Sequence, residues 1–438
     1  MTKSSWQPVI GIEVHIELKT KSKMFCACRN QPFGGQANTF VCPVCLGLPG
    51  ALPVPNQKAI EQTIVIGLAL GCQINSPFWF DRKNYFYPDL PKGYQISQHF
   101  APIGISGQLP ILIDGQQKGI GISDIHLEED TAKLLHQTNE TWIDFNRSGV
   151  PLVEIVSKPE IHSSEEAKIY LKRIRQLVRY LGFSDCDMEK GSMRLEANIS
   201  LTDKPGVIPD YRVEVKNLNS FRFVQKAIEY ELVRQKEILE NGQTPKQETR
   251  GFDLDRGITF PQRSKEVAKD YRYFPEPDIP PFEYSNPTIK KFGKSISHLP
   301  WKSEQTLISS GVDWQKAQLV CQKKKSAQLI NQAIERGSKL PVSVKQLVNY
   351  LINKKPSSKT DLDQLIDLVV KDQNRFDLDP KKLASVVGEV ITQNPKAVAD
   401  YRQGKTQVIG FLIGQVQKKT GGRAHPDQTR QTLVKLIT

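Results

Sequence analysis

Four segments of this chain alternate between apolar and polar residues, and that alternation constrains the fold more than any other feature. In residues 9–20 the polar positions include Glu13, His15 and Glu17, with aliphatic residues between them. The same period of two recurs at 121–130, 192–201 and 211–216. Such a period is typical of strands that bury one face. We therefore predict an α+β fold in which an antiparallel sheet packs its apolar face on helices.

The polar faces of these segments carry acids, bases and amides at every second position. They include Glu13, His15, Asp124, His126, Glu128, Arg194, Glu196, Asn198, Glu214 and Lys216. Clustered carboxylates raise one another's pKa unless cations are present, and carboxylate oxygens suit Mg²⁺. Because Mg²⁺ on a nucleotide phosphate points to phosphoryl transfer, the pattern favours metal-dependent ATP chemistry. An ordinary solvated strand face explains any one segment taken alone.

Four of the seven cysteines are grouped in the sequence. One residue separates Cys26 from Cys28, two separate Cys42 from Cys45, and thirteen lie between the two pairs. In a reducing compartment such pairs indicate a tetrahedral zinc site. A site filled by four thiolates has no open position, so we predict a structural zinc in the loop 26–45. Free thiols or a redox pair are the alternatives.

A loop at 80–99 combines basic and aromatic residues with two prolines. Arg82, Lys83, Asn84 and Tyr85 lie near its start. Aromatic rings stack on nucleobases and cations bind phosphate, so this loop is a candidate for binding a nucleotide or a terminal adenosine. A rigid packed loop is the alternative.

Positive charge is concentrated in the C-terminal third of the chain. The net charge is +13, and residues 301–438 hold 23 Lys and Arg against 12 Asp and Glu. Helical periodicity recurs in this region, and Lys418, Lys419 and Arg423 flank a Gly pair that a phosphate backbone can approach closely. A basic tail on a nearly neutral body predicts a polyanion that is held by the tail and modified at the body. Lysine-rich solvated helices are the alternative.

Missing motifs exclude several classes of protein. No stretch reaches about 18 uninterrupted apolar residues and the first residues contain no signal-peptide core. We therefore expect no membrane span and a cytoplasmic protein, with an organellar protein without its transit peptide as the alternative. Residues 404–406 and 293–295 end like phosphate-binding loops, but Ala399 and Thr288 stand where the earlier glycine is required. The usual metalloprotease, hydrolase and dinucleotide-binding motifs are also absent.

Several long motifs resemble a known family. They are GIEVHIEL, CLGLPGALPVPN, FDRKNYFYPDLPKGYQISQ, IHLEED, GVPLVEIVS, EVKNLNSFRFVQKAIEYE and DYRYFPEPD, followed by VADYRQGKTQVIGFLIGQVQKKTGGRAHPD in the tail. Together with the cysteine pairs they resemble the B subunit of the bacterial and organellar tRNA-dependent amidotransferase, the GatB family. The resemblance runs from about residue 8 to 283 and resumes in the tail.

The resemblance implies an enzyme that corrects misacylated tRNA. The side-chain carboxylate of glutamate on tRNA(Gln), or of aspartate on tRNA(Asn), is phosphorylated by ATP, and ammonia then displaces the phosphate. The implied domains are a catalytic cradle akin to glutamine synthetase at 1–283, a helical connector at 284–340 and a helical tRNA-binding tail at 341–438. The implied partners are an amidase A subunit and a small C subunit in a heterotrimer. This chain lacks an amidase or glutaminase constellation of its own, so its ammonia is expected from a partner.

The resemblance also assigns roles to single residues. It implies that Mg²⁺ is bound by Glu13, His15, Glu129 and Glu196, and that these residues and Glu128 are catalytic. The alternation favours Glu128 for the polar face, so we expect a bulge near His126 that re-aims the strand. Glu196 stands where many family members have aspartate. Substrate or nucleotide contacts are predicted for Arg82, Lys83, Asn84, Tyr85, Arg194, Asn198 and Lys216. Contacts with tRNA are predicted for Lys405, Lys418, Lys419 and Arg423.

Two other functions fit parts of the pattern. A ligase that uses ATP to amidate a small free acid needs the polar sheet face but not the basic tail. A non-catalytic RNA-binding protein with a zinc site needs the tail and the cysteines but not the acidic face.

Overall fold

A computed structural model describes residues 6–264, 271–294, 296, 298–374 and 378–437. The chain divides into two compact units, Met1–Lys302 and Ser303–Thr438. The three-domain division predicted from the sequence stays a prediction. Within the described ranges, every helix is too short or too polar to cross a lipid bilayer.

The first unit contains all the described strands. They are β1 (Gln7–Glu17), β2 (Gln73–Ile74), β3 (Asp81–Asn84), β4 (Tyr94–Ser97), β5 (Gly104–Ile113), β6 (Gln116–Glu129), β7 (Lys133–His136), β8 (Thr141–Asp144), β9 (Pro151–Ser157), β10 (Met193–Thr202), β11 (Val213–Leu218), β12 (Glu248–Asp253), β13 (Ile258–Ser264) and β14 (Phe274–Pro275). Its helices are α1 (Gln57–Ala69), α2 (Ser164–Leu181), α3 (Phe221–Glu240) and α4 (Asn286–Lys294).

Nine of these strands form one sheet in the order β13-β12-β11-β10-β1-β9-β6-β5-β2. Every neighbouring pair is antiparallel except β11 and β12, which are parallel. The four segments with alternating residues form β1, β6, β10 and β11, so the α+β prediction is confirmed. The sequence pattern did not single out β9, which lies between β1 and β6.

The apolar face of the sheet packs on helices, as the alternation predicts. Ile12, Val14 and Ile16 of β1 are 1% exposed or less and belong to the same core cluster as Tyr170 and Leu171 of α2. Helices α1 and α3 pack on the same sheet through β6 and β10. Burying each of these large aliphatic side chains stabilises the fold by about 1.5–3 kcal/mol. The opposite face of the sheet is left for polar side chains.

Local sequence signals set the helix ends. The Asn56 side chain accepts hydrogen bonds from the first backbone N–H groups of α1, and Ser163 caps α2 by accepting from Glu166 N. Glu166 does not complete a capping box, because its carboxylate accepts from the backbone N–H of His162 instead. Gly182 ends α2 in the left-handed conformation, with φ 76°.

Two smaller sheets flank the large one. One has the order β14-β3-β4, and the other is the hairpin β7-β8. Gln95 Nε2 of β4 donates to the carbonyl oxygen of Glu129 at 2.7 Å, which holds β4 against the end of β6. This contact places the hairpin of β3 and β4, which lies within the predicted loop 80–99, beside the end of β6.

The second unit is helical, and the helical prediction for this region is confirmed. The boundary between the units falls within the first of these helices, α5 (Pro300–Ser309). The helices that follow are α6 (Trp314–Val320), α7 (Lys324–Arg336), α8 (Val344–Lys354), α9 (Leu362–Asn374), α10 (Pro380–Gln393), α11 (Pro395–Arg402), α12 (Ile409–Lys419) and α13 (Pro426–Ile437). Short 3₁₀ turns lie at Gly337–Lys339 and Thr406–Val408. Val387 of α10, Leu412 of α12 and Leu433 of α13 are fully buried in one core cluster.

Candidate active site

The polar face of the sheet brings together side chains from five adjacent strands, β11, β10, β1, β9 and β6. In the register of the sheet, Glu13 lies opposite Glu196, and His15 lies opposite Glu154. Side chains directly opposite each other on neighbouring strands have Cβ atoms about 5 Å apart and point to the same face. Residues from distant parts of the chain therefore meet on this face.

The first cluster, which we name the histidine centre, consists of His15, Glu128 and Glu154. One ligand atom of each residue lies within 4.8 Å of the others. His15 Nε2 is 3.1 Å from Glu154 Oε2 and 3.7 Å from Glu128 Oε1. Ser97 Oγ donates to Glu128 at 3.1 Å. One imidazole and two carboxylates are suitable ligands for a divalent cation.

Two further residues on β6 fix the position of Glu154. His126 Nε2 is 2.9 Å from Glu154 Oε2, and its other ring nitrogen, Nδ1, is 2.9 Å from Asp124 Oδ1. A carboxylate on each side of the ring fixes the orientation of the imidazole. His126 thereby positions Glu154, in the way that outer partners orient metal ligands.

Burial and charge oppose each other at the histidine centre. Burial lowers the pKa of His15, but the carboxylates of Glu154 and Glu196 outweigh burial and raise it to about 9. Burial raises the pKa of Glu154, but His15 and His126 hold it well below its usual range. A divalent cation bound here would supply, in place of the His15 proton, the positive charge between the carboxylates.

The second cluster, which we name the carboxylate centre, consists of Glu13, Glu196 and Glu214. Their ligand atoms also lie within 4.8 Å of one another. Lys216 Nζ is 2.8 Å from Glu196 and 3.6 Å from Glu214, and Asn198 Nδ2 donates to Glu13 at 2.7 Å. Burial and the neighbouring carboxylates raise the pKa of Glu13 to about 7. Crowded acids of this kind favour a bound cation, which relieves their mutual repulsion.

The adjacent residues Glu128 and Glu129 have different surroundings. Glu128 belongs to the histidine centre, whereas Glu129 forms an ion pair of 2.7 Å with Lys92 and accepts from Ile96 N at 3.0 Å. The pairing of β6 with β9 shifts register between Ile122 and Asp124, on the N-terminal side of His126, and is regular from Asp124 to Glu129, including the position where we expected a bulge. The structure therefore gathers Glu128, and not Glu129, with the other candidate ligands.

Most of the loop residues predicted to contact a nucleotide are bound to protein groups. Arg82 donates to Glu276 at 2.6 and 2.8 Å, and Asn84 donates to the carbonyl oxygens of residues 271 and 272. Tyr85 Oη donates to Gln95 at 3.1 Å. These contacts support the alternative of a rigid packed loop for three of the four residues.

The charge of Lys83 interacts with the carboxylates of the histidine centre. Its ammonium lies 4.8 Å from the centroid of the Tyr271 ring. Burial lowers the pKa of Lys83, but Tyr273 and Glu128 outweigh burial and raise it above its usual value. Lys83 therefore keeps a positive charge beside the carboxylates of this centre.

The other predicted substrate contacts separate into two groups. Asn198 and Lys216 lie at the carboxylate centre. Arg194 Nη2 forms an ion pair of 2.7 Å with Asp130, which also lies 3.7 Å from Arg147. Arg194 is therefore part of an ionic cluster around the buried Asp130, and it lies opposite His15 in the register of the sheet.

The four grouped cysteines come together in space. The sulfurs of Cys26, Cys28, Cys42 and Cys45 lie within 4.8 Å of one another. Lys23, which is fully buried, places its ammonium 3.6 Å from Cys45 Sγ. A hydrogen bond from Cys26 lowers the pKa of Cys45 to about 5, against the effect of burial. Four sulfurs at this spacing can hold a tetrahedral metal ion.

Comparisons with known proteins identify the family of this chain. A family model described as "GatB/GatE catalytic domain" matches residues 8–290, and a model described as "GatB domain" matches residues 341–437. The chain belongs to the GatB family. In an alignment 476 positions long, it is 41% identical to the B subunit of the aspartyl/glutamyl-tRNA(Asn/Gln) amidotransferase of Carboxydothermus hydrogenoformans, with 98% of each chain covered. Proteins of the same name from Thermomicrobium roseum and Thermodesulfovibrio yellowstonii are 42% and 40% identical, with 98% and 99% of each chain covered.

One candidate ligand of this GatB family member was missed by the sequence analysis. Glu154 is the only charged residue of β9, and apolar residues precede and follow it at 151–153 and 155–156. A period-two search gives no signal in such a strand. The available signal was a single acid within an otherwise hydrophobic run of residues, which is typical of a functional position. Glu214 and His126 were recognised on the polar face but were not assigned roles.

The predicted tRNA contacts of this GatB family member lie at both ends of α12. Lys418, Lys419 and Arg423 are exposed at its C-terminal end, and Lys419 forms an ion pair of 2.7 Å with Glu389. Lys405 lies before its N-terminal end and forms an ion pair of 2.8 Å with Asp400. The structure therefore brings three of the four predicted residues together and leaves Lys405 at the other end of the helix.

Proposed function

We propose that this chain is the phosphorylating and amidating subunit of a cytoplasmic, ATP-dependent aminoacyl-tRNA amidotransferase. The observation that carries the proposal is the convergence of the histidine centre and the carboxylate centre on one polar sheet face. The names of the relatives support the same reaction class, with Glu-tRNA(Gln), Asp-tRNA(Asn) or both as substrates.

The proposed reaction has two steps. A side-chain carboxylate oxygen of the aminoacyl group attacks the γ-phosphorus of ATP, the bond to the β-phosphate oxygen breaks, and ADP leaves. Ammonia then attacks the acyl carbon, the bond to the phosphate oxygen breaks, and an amide, inorganic phosphate and a proton are released. Phosphorylation supplies the leaving group that a carboxylate lacks, and holding both substrates in place supplies much of the rate.

We assign each centre a role in holding these substrates. Glu13, Glu196 and Glu214 would hold one Mg²⁺, and His15, Glu128 and Glu154 a second. The bound ions would neutralise the phosphate oxygens and the acid group. Lys216 and Lys83 place positive charge beside the two centres. This assignment takes Glu128 in place of Glu129, and it adds Glu154 and Glu214 to the predicted ligands.

The cysteine site is proposed to bind Zn²⁺ for a structural purpose. Four thiolates around Zn²⁺ carry a net negative charge, and the buried Lys23 ammonium, 3.6 Å from Cys45, offsets part of it. Val54 N and Asn56 N donate to the carbonyl oxygens of Phe25 and Met24, so the loop beyond the site is tied back to its start. The zinc thus fixes the segment that leads into α1.

Ammonia and tRNA binding are proposed to depend on other parts of the assembly. An amidase A subunit and a small C subunit would complete the heterotrimer, with glutamine hydrolysed on the A subunit. The basic helices of the second unit would hold tRNA through its phosphates, with Lys418, Lys419 and Arg423 among the contacts.

The test is to mix the chain with its proposed partners, ATP, Mg²⁺ and each mischarged tRNA, and to measure amidated aminoacyl ester. We expect product only with ATP and a mischarged tRNA, and none with free glutamate. The purified chain alone is expected to use ammonia but not glutamine. Amidation of free glutamate at a similar rate would indicate a small-molecule ligase instead. Binding of tRNA without any amidation by the complete assembly would indicate a non-catalytic protein.

A further inference from the structure

Two exposed aromatic rings lie just after β4. Phe100 is 56% exposed although its side chain is wholly apolar, and the neighbouring His99 is also exposed. The centroids of these two rings are 4.9 Å apart, and their planes lie at 68°. The ring of Tyr273 stacks on His99 at a centroid distance of 4.2 Å and an angle of 11°. Three rings from two distant segments therefore form one cluster, which we name the aromatic platform.

A buried carboxylate holds the backbone of the aromatic platform in place. Asp81 of β3 is fully buried, and its Oδ2 accepts from the backbone N–H groups of His99 at 2.7 Å and Phe100 at 3.0 Å. Hydrogen bonds to an ionised group are about twice as strong as those between neutral groups. The exposed rings are therefore carried by a fixed backbone, as the contact residues of a binding site usually are.

The aromatic platform lies next to the histidine centre. Ser97, the last residue of β4, donates to Glu128 of that centre at 3.1 Å and precedes His99 by two residues. Two residues span at most about 7 Å. Burial raises the pKa of Tyr273 to about 12, and the carboxylates of Glu128 and Glu154 add to the rise. The platform is therefore within electrostatic reach of the candidate metal ligands.

The chemistry and position of the platform suit the base of a terminal adenosine. Aromatic side chains stack on nucleobases, whatever the base. In a glutamyl ester, about 6 Å separates the ester carbon from the side-chain carboxylate oxygens. The adenosine that carries the ester must therefore lie close to the reacting acid. The adenine of ATP is farther from the γ-phosphorus, because a ribose and two phosphates lie between them.

We propose that the aromatic platform binds the 3′-terminal adenine of the aminoacyl-tRNA, so that the esterified amino acid extends toward the histidine centre. The proposal rests on the proposed function and names the part of the tRNA that the first unit recognises. Every tRNA ends in adenosine, so this contact serves Glu-tRNA(Gln) and Asp-tRNA(Asn) equally. It separates an esterified amino acid from a free one, and it leaves the choice between tRNAs to other contacts.

The first test removes the ring of Phe100. In the amidotransferase complex we expect Phe100→Ala to raise the KM for Glu-tRNA(Gln) at least about fivefold and to leave the KM for ATP within about twofold. Phe100→Tyr, which keeps a ring, should raise the KM for the tRNA less than Phe100→Ala does. Trp142→Ala is the matched control, because Trp142 is also 56% exposed but lies on the hairpin β7-β8. Its KM for Glu-tRNA(Gln) should stay within about twofold of wild type.

A second ring and a small probe keep the proposal testable if Phe100→Ala does not fold. We expect His99→Ala to raise the KM for Glu-tRNA(Gln) at least about threefold, and His99→Phe, which keeps a ring, to raise it less. The probe is 3′-glutamylamino-3′-deoxyadenosine, which has the terminal adenosine but no tRNA body. Titration calorimetry with saturating ADP and Mg²⁺, which occupy the nucleotide site, should show binding at least about threefold weaker for His99→Ala than for wild type.

The outcomes distinguish this proposal from the proposed function. If the wild-type complex amidates Glu-tRNA(Gln) and both alanine variants leave its KM unchanged, the platform does not bind the terminal adenine and the function stands. If these variants raise the KM for ATP and not that for the tRNA, the rings hold the nucleotide and the proposal is overturned. Loss of a partner subunit from the variant complexes on gel filtration would assign the rings to a subunit interface and would overturn it as well. If the wild-type complex neither amidates nor binds the probe, both proposals fail.

Discussion

At the scale of single residues, two neighbouring acids on β6 have different contacts because side chains alternate along a strand. Glu128 points to His15, and Glu129 forms an ion pair with Lys92. We expect Glu128→Gln to raise the Mg²⁺ concentration for half-maximal amidation more than about tenfold, because the proposed ligand Glu128 then has no negative charge. Glu129→Gln should leave that concentration within about twofold of the wild-type value, whether or not it changes the rate of amidation. Mg²⁺ titrations of both variants decide between the two acids, and the reverse result would return Glu129 to the ligand set.

His126 offers a test of positioning, because it contacts Glu154 and not the other candidate ligands. His126→Ala frees the Glu154 carboxylate from a partner at 2.9 Å. We expect Mg²⁺ affinity to fall about 10- to 100-fold, the usual effect of losing a partner that orients a ligand. His136→Ala, which changes an exposed histidine of the hairpin β7-β8, is the matched control. An unchanged Mg²⁺ titration for His126→Ala would show that Glu154 needs no such support.

The cysteines are expected to fall into two classes of reactivity. Burial raises the pKa of Cys72 to about 12 and that of Cys186 to about 11, so both stay protonated at about pH 8. Alkylation at that pH should therefore spare them in the folded protein. A strong chelator should release zinc and make the four grouped thiols reactive. Mass spectrometry before and after chelation identifies the labelled residues, and labelling of all four without chelation would contradict a bound metal.

At the scale of elements, the sequence predicts the strands that have one polar face and misses the strand that has none. Alternation identified β1, β6, β10 and β11 because their polar and apolar residues separate by parity. β9 gives no such signal, since Leu152, Val153, Ile155 and Val156 surround its single acid. The register that brings Glu154 opposite His15 depends on pairing between distant segments, which periodicity does not encode.

The residues of β3, and Tyr85 directly after it, show a second reason why site residues were misjudged. Composition indicated that Arg82, Asn84 and Tyr85 were available to a ligand. The acids and carbonyl groups that bind them come largely from residues 271–278, which are far away in the sequence. Whether a polar side chain is available depends on such distant partners, so composition alone overestimated this part of the site.

A buried ionic network joins α3 to the end of the large sheet. Glu231 of α3 is fully buried, accepts from Arg234 at 2.8 Å and lies 3.1 Å from Arg250 of β12. Glu231→Gln leaves the two guanidinium groups without their buried anion, so we expect a loss of about 3–5 kcal/mol in the free energy of unfolding. Glu237→Gln, on the exposed side of the same helix, should change it by less than about 0.5 kcal/mol. Urea unfolding monitored by circular dichroism makes the comparison. Equal unfolding midpoints for Glu231→Gln and the wild type would show that the network adds no stability.

At the scale of the whole molecule, charge and chemistry are divided along the chain. Residues 301–438 carry most of the net charge of +13, whereas the acidic centres lie on the sheet of the first unit. This division fits an enzyme that holds a large anionic substrate by one part and reacts with its terminal acyl group at another. The composition of the chain predicted this division. The positions of the two centres could not be predicted from composition, because they depend on the register of five strands.

The central claim is that ATP phosphorylates the side-chain acid of the aminoacyl group. The direct measurement is to supply Glu-tRNA(Gln) labelled with oxygen-18 in its side-chain carboxylate to the complete complex, together with ATP, Mg²⁺ and ammonia. The proposed mechanism predicts that each amide formed leaves one labelled oxygen in inorganic phosphate. Amide formation with unlabelled phosphate, or with the label in AMP, would contradict phosphoryl transfer to the acid.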